Sequence, residues 1–262
     1  MNMLRSLKKL LNDQGILIYN FSSHINYNRI AEQCVRHSKK YLPNIPVMSV
    51  GQPINGADLH HDLDLPQTNK KVFGTVSRTW HNLARHLSYK ITPWYRTVVL
   101  DCDYMIMSKQ LEKLFCSDQQ ILMHREWYDI ANDQVSVVPV GKSEIDMMWA
   151  TVLKFDKTPY VSEFFDLWYK VLKNYNYYAK LFSFSHHVIR NDFAVSIALK
   201  QLMNFGSVDH CVIPWSMFTT RDNVNVKTIN EDEIVFSDTK SDFTVRFDCH
   251  ILNKESLFDA VS

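Results

Sequence analysis

The chain has 262 residues, 46% of them hydrophobic, and its 29 Lys and Arg against 28 Asp and Glu leave a formal net charge of +1. That size and apolar share suit one large α/β domain or two small ones, with one domain of two halves preferred, and the near balance of charge excludes a strong global field directed at nucleic acid or an anionic membrane. Five scattered cysteines with no CxxC pair exclude a disulfide framework and a structural zinc site, and only six glycines exclude a glycine-rich phosphate loop.

Leu and Lys at helical spacing predict a short leading helix over residues 3–11, stopped by Asn12-Asp13-Gln14-Gly15. Ile16 to Asn20 predicts a buried strand, the periodicity from Tyr27 to Tyr41 a helix, and Ile45 to Val50 a second strand. Strand, helix and strand in that compass make a βαβ unit, hence a parallel sheet. The polar mix from Gly51 to Lys71 predicts a long loop, in which His60-His61-Asp62-Leu63-Asp64 reads as a solvated stretch more readily than as a metal cluster. Thr75 to Leu87 predicts a helix bearing Arg78 and Arg85, and Thr92-Pro93 breaks the chain after it.

Thr97-Val98-Val99-Leu100 then runs into Asp101-Cys102-Asp103. An apolar run without polar alternation is a buried strand of a parallel sheet, and ligands bind at its carboxyl end. Side chains alternate across a strand, so Asp101 and Asp103 lean the same way and invite a divalent cation. Downstream, the pattern predicts a helix from Ser108 to Phe115 and a strand from Gln120 to Met123. A polar excursion from His124 to Asp146 precedes a strand from Trp149 to Phe155, and Thr158-Pro159 opens a helix through Lys173. An aromatic stretch from Tyr175 to His187 precedes a helix whose first turn carries Asp192. The tail from Thr244 reads as a strand up to His250 and Lys254. A neutral imidazole at His250 suits Mn²⁺, and an ammonium at Lys254 suits a phosphate.

In this order the motifs resemble the GT-A fold glycosyltransferases, most closely the retaining type related to glycogenin and the bacterial galactosyltransferases. The matching residues are Leu83-Ala84-Arg85 before the Asp101-Cys102-Asp103 strand, Ala150-Thr151-Val152-Leu153, Asn191-Asp192, and His250 with Lys254 at the carboxyl end. The family's ending is His-x-x-Gly-x-x-Lys-Pro-Trp; this chain has His250-Ile251-Leu252-Asn253-Lys254, which changes the reach of the lysine.

The resemblance implies a single GT-A (Rossmann-like) α/β domain over 1–262, with a mostly parallel central sheet flanked by helices. Residues 14–108 would form the nucleotide-sugar half, and 109–262 the acceptor half with a metal-binding tail. It implies an enzyme that moves a sugar from a nucleoside-diphosphate sugar, UDP-linked, to a hydroxyl acceptor. Mn²⁺ or Mg²⁺ would be held by Asp101, Asp103 and His250. Arg85, with Arg78 as its rival, would contact the donor; Tyr19 and Asn20 would lie near the base, and Lys254 near the diphosphate. Asp192 would act as acceptor base or as a carboxylate beside the sugar.

The abundance of Asn, Lys, Tyr and Phe looks like that of large bacteriophage proteins, whose transferases of this kind glycosylate hydroxymethylated pyrimidines in DNA. Hydroxymethylated DNA is therefore the first acceptor expected, with saccharides and proteins as the other classes. No apolar run reaches the roughly 18 residues of a membrane span, and the expected location is the cytoplasm, that of the host if phage-encoded. Two other readings of the same residues are an aspartate-nucleophile phosphatase, which shares the Asp-x-Asp after an apolar strand, and a non-catalytic nucleotide-sugar binding module.

Overall fold

Ile16-Leu17-Ile18, Val98-Val99-Leu100 and Val152-Leu153 are apolar at every position because both faces of their strands are covered. A computed structural model describes residues 13–21, 27–63, 69–73, 76–80, 83–185, 188–239 and 241–261, with 69–73 and 76–80 described by backbone alone. Strand β1 (Gln14–Asn20), helix α1 (Tyr27–Tyr41) and strand β2 (Val47–Gly51) form the expected βαβ unit, and β1 pairs parallel with β2. An edge strand β3 (Leu59–His61) and a hairpin of β4 (Asn69–Phe73) with β5 (Val76–Trp80) follow. A 3₁₀ turn over Leu83–Leu87 and the short helix α2 (Ser88–Ile91) lead into β6 (Arg96–Asp101).

After the carboxylate turn come β7 (Tyr104–Met105), α3 (Glu112–Phe115), β8 (Ile121–His124), β9 (Trp127–Asp129), β10 (Gln134–Ser136) and β11 (Trp149–Asp156). Helix α4 (Pro159–Lys173) starts as expected, with Thr158 as its cap accepting from the Val161 N–H and proline in the first turn. Helices α5 (Tyr175–Leu181) and α6 (Asn191–Leu202) precede strands β12 (Met217–Thr219), β13 (Asn225–Ile229), β14 (Ile234–Ser237), β15 (Asp242–Val245) and β16 (Cys249–His250). Helix α7 (Lys254–Ala260) closes the described chain.

The central sheet has the order β3-β2-β1-β6-β11-β8, parallel from β3 to β6 and antiparallel at β11 and β8. This is the α/β, mostly parallel sheet flanked by helices that the sequence predicts. Strand alternation divides the core: Ile16, Ile18, Val98, Leu100 and Val152 pack with α1, whereas Leu17, Val99 and Leu153 pack with α4 and α6. A second sheet, β10-β9-β12-β16-β7, lies beyond the carboxyl edge, and β13-β14-β15 form a third. The second residue of β1 is Gly15 because Trp94 takes the place of a side chain: a Cβ there would sit 2.3 Å from the indole. Among the described residues, no helix is long and apolar enough to cross a membrane.

Several boundaries differ from expectation. The helix predicted over Thr75 to Leu87 is instead β5 followed by one 3₁₀ turn; β-branched Val76 and Thr79 and aromatic Trp80 favour the strand, and pairing with β4 decides it. The Gly51 to Lys71 segment carries β3 and the start of β4, so it is not all loop. The Ser108 to Phe115 helix is reduced to its last turn, and the polar excursion contains β9 and β10. The tail is not one strand: it breaks into β15, β16 and α7, whose first residue is Lys254. The leading helix over 3–11, Asp64, His186 and His187 lie outside the described residues.

Far from the carboxylates, Lys154 is fully buried on β11, where Nζ lies 2.8 Å from Asp156 Oδ1 and donates to the Ser117 and Gln119 carbonyls. Lys154→Met strands the Asp156 carboxylate in the core and should cost about 3–5 kcal/mol, read as a fall in the urea midpoint. Adding Asp156→Leu should recover most of the loss; a single mutant as stable as wild type would mean that the pair contributes nothing.

Candidate functional site

Asp101 ends β6 level with Tyr19 of β1, so it stands at the carboxyl edge of the parallel strands. Asp103 is not on the strand. It lies in the turn after it, and the two carboxylates converge because the chain folds over at Cys102, not through strand alternation. The turn is held from the far end of the chain: β7 pairs antiparallel with β16, Tyr104 opposite His250, and Ile251 N–H donates to the Asp103 carbonyl at 3.0 Å. The His250 carbonyl accepts from Thr220 N–H and from Thr219 Oγ1, each at 3.1 Å. Asp248 fastens the same ladder by accepting Met107 N–H at 2.7 Å.

Asp101, Asp103 and His250 thereby offer ligand atoms that all lie within 4.8 Å of one another, and His250 Nε2 is 3.2 Å from Asp103 Oδ1. Two carboxylate oxygens and an imidazole nitrogen form a donor set that suits Mn²⁺, with Mg²⁺ served mainly by the oxygens. The residues fit the group that the resemblance implies.

Two cations complete the cluster. Arg85, on the 3₁₀ turn, ion-pairs with Asp101, and Lys254, at the start of α7, ion-pairs with Asp103. Burial and the neighbouring Asp103 charge push the Asp101 carboxyl up to about 6, and Arg85 only partly opposes them. At Asp103 burial pushes the same way, but the Lys254 ammonium and His250 outweigh it and hold the carboxyl below the usual range. Arg85 is held charged against burial by Asp101, Asp192 and Asp103, in that order, so Asp192 faces the same cluster.

The remaining expected residues fall around this centre. The Tyr19 ring is packed in the core, and its hydroxyl meets Ser88 Oγ at 2.8 Å and the Ala84 carbonyl at 3.4 Å. Ser88 Oγ donates to the Arg85 carbonyl at 2.7 Å, so Tyr19 and Ser88 brace the turn that presents the guanidinium. Asn20, also buried, donates Nδ2 to Asn28 Oδ1 at 2.6 Å, and its Oδ1 has no partner. Asp192 Oδ1 accepts Ala150 N–H at 3.0 Å, tying the first turn of α6 to the start of β11. Arg78 lies opposite Lys71 in the β4–β5 hairpin, and its side chain is outside the description.

Sequence reasoning missed Ser88, which carries no motif, and a group on the opposite flank of Asp101. Trp149, the first residue of β11, stands in register with His124, the last of β8, beside a break in the ladder before Leu153↔Met123. His124 is fully buried; Nδ1 donates to the Trp215 carbonyl at 3.0 Å, leaving Nε2 with a lone pair and no partner. Burial pushes its pKa down to about 4. A depressed histidine stabilises the fold while neutral, so this contribution, about 3 kcal/mol, is present near neutrality and is lost as pH falls from 6.5 towards 4. Asp248, pushed up to about 6 by burial, slopes the opposite way. The readout is therefore the difference between wild type and His124→Gln in denaturant midpoints from pH 7 to 4.5, which should shrink with acid. A constant difference would place the histidine's protonation outside the stability balance.

No family model and no curated protein matches this chain. Among solved structures it is similar to the glycosyltransferase GlyE of Streptococcus pneumoniae, at 14% identity and a TM-score of 0.43, over 77% of this chain and 45% of that one. It is also similar to the galactosyltransferase LgtC solved with donor and acceptor sugar analogs, at 12% identity and a TM-score of 0.42, over 70% of this chain and 69% of that one. A third is a putative glucose-1-phosphate thymidylyltransferase from Bacillus anthracis, at 11% identity and a TM-score of 0.41, covering 78% and 87%. The chain spans less than half the length of the pneumococcal protein.

Proposed function

We propose that this protein is a metal-dependent glycosyltransferase of the GT-A type that moves a sugar from a nucleoside-diphosphate sugar, UDP-linked, to a hydroxyl acceptor. The observation that carries the reading is the cluster of Asp101, Asp103 and His250 at the carboxyl edge of the parallel strands, with Arg85 and Lys254 against it. Held by the three ligands, Mn²⁺ or Mg²⁺ would neutralise the charge that develops on a departing diphosphate.

The residues of the chain account for the rest. Two carboxylates balanced by Arg85 and Lys254 leave little net charge to attract a lone cation. A cation and a diphosphate together suit the site, since the phosphates give the guanidinium and ammonium new partners as the carboxylates turn to the cation. Asn20 Oδ1, a buried acceptor at the end of β1, complements the imide N–H that uracil shares with thymine, so thymidine diphosphate belongs in the comparison with UDP. Asp192, facing Arg85 from the first turn of α6, is the carboxylate beside the sugar, as acceptor base or as positioning group. Hydroxymethylated DNA, saccharides and proteins are the acceptor classes to screen.

Calorimetric titration of UDP with and without Mn²⁺, alongside other nucleoside diphosphates, tests the proposal. Tight UDP binding only with the metal, and weak metal binding without UDP, is the expected result. No binding of any nucleoside diphosphate in either condition overturns it.

A further inference from the structure

On the side of the aspartates away from Asn20, three buried polar atoms have no partner. They are the indole N–H groups of Trp127 and Trp149, and His124 Nε2. Trp127 and Trp149 meet edge to face at 6.3 Å, and Trp149 meets the His250 ring the same way at 6.5 Å, so the two indoles form a wall leading out from the metal ligands. Because β11 runs antiparallel to β6 and Trp149 opens it, the indole sits at the same sheet edge as Asp101. Register partners share a face of a sheet, so the Trp149 donor and the His124 acceptor are cross-strand neighbours, yet they do not bond to each other.

The indole N–H groups of core Trp94 and Trp168 are unpaired as well, so an unpaired indole alone marks nothing. What sets Trp127 and Trp149 apart is their ring contact, through Trp149, with the metal ligand His250 and the unpaired His124 acceptor across the strand, which together suit a ligand that supplies both donors and acceptors. The sheet order β2-β1-β6-β11-β8 puts this wall across the aspartates from β1, where the base is proposed to lie, so the group it meets is the acceptor. All three side chains are neutral, with apolar ring faces and N–H or lone-pair edges. That matches a sugar ring, whose C–H face stacks and whose hydroxyls donate and accept together.

Resting on the transferase reading above, we propose that Trp127, Trp149 and His124 form the acceptor subsite and that the acceptor presents a neutral saccharide ring. The experiment follows the indole N–H resonances of ¹⁵N-labelled protein, assigned with Trp127→Phe and Trp149→Phe, during titration with methyl galactoside, methyl glucoside, N-acetylglucosamine and lactose in the presence of UDP and Mn²⁺. The Trp127 and Trp149 signals should move saturably with at least one saccharide while those of core Trp94 and Trp168 stay still. Trp149→Phe, which keeps the ring and loses the donor, should weaken that saccharide about tenfold with UDP affinity unchanged. Should this variant not fold, Trp127→Phe carries the same comparison.

Unmoved indole signals across the panel, or saccharide affinity unaltered in the variant, overturn the proposal and leave a bridging buried water as the partner of these atoms. UDP binding in the same samples is read separately. Its loss would sink the donor reading, whereas its presence without a saccharide response sinks only the subsite.

Discussion

Asp103→Asn should lower Mn²⁺-dependent UDP affinity and sugar transfer by at least about a hundredfold, because a carboxylate ligand worth several kcal/mol is replaced by a neutral amide. It should also unfold more readily. Asp103 is the partner of both Lys254 and His250, and its removal leaves an ammonium at 20% exposure without its ion-pair partner, with only Asp101, itself paired to Arg85, as a nearby carboxylate, a loss of about 3 kcal/mol. A carboxyl held below its ordinary value contributes stability that is present above pH 4 and lost as pH falls through the native value. The mutant's deficit should therefore narrow in acid. Lys254→Met in the Asp103→Asn background should restore much of the stability and none of the metal-dependent binding.

Asp101→Asn should be as damaging to metal-dependent binding but milder to stability, since burial and Asp103 already penalise its charge. Thermal melts beside UDP calorimetry for both variants check the pair. Normal turnover in either one would remove the central claim.

Asp192→Asn should depress turnover at least about a hundredfold with UDP affinity within twofold of wild type, since the carboxylate beside the sugar is lost while Asp101 and Asp103 still face Arg85. The asparagine keeps an oxygen for Ala150 N–H, so melting should hardly change. Asp192→Ala also loses the bond from Ala150 N–H that ties α6 to β11, while the Ser196 bonds to the Asp192 backbone carbonyl and from Met148 N–H stay in place, and it should cost a further 1 kcal/mol or so. Single-turnover kinetics with saturating donor separate the two roles. Full turnover in the asparagine variant would reduce Asp192 to a packing tie at the head of a helix.

The difference between these two aspartates shows how far the one-dimensional pattern reaches. Short-range physics settles the elements that depend on their own residues. Unbroken apolar runs at Ile16 and Val98 require strands covered on both faces, and their even and odd positions feed two different cores. Helix α1 keeps its Tyr27 and Tyr41 ends because its apolar stripe is self-consistent, and α4 starts where Thr158 and Pro159 say it must. The place of Asp101 was legible to the same degree, since an apolar strand ending in a carboxylate puts that carboxylate at the ligand edge of a parallel sheet, whereas strand alternation misplaced Asp103, which lies in the turn.

The sequence by itself thus determined the βαβ start, the parallel sheet and the place of Asp101. Tertiary structure decided the rest. Val76 to Trp80 became a strand because residues 69–73 were there to pair with it, and the two carboxylates met through a turn held by β16, over a hundred positions later. Which cation faces which aspartate, the Tyr19 and Ser88 brace beneath Arg85, and the Trp149 and His124 pairing all join residues whose separation erases any local signal. Propensity and periodicity act within a turn or a strand. Ion pairs, unpaired buried donors and the register of a returning tail exist only once loop closure has been compensated by the packed core.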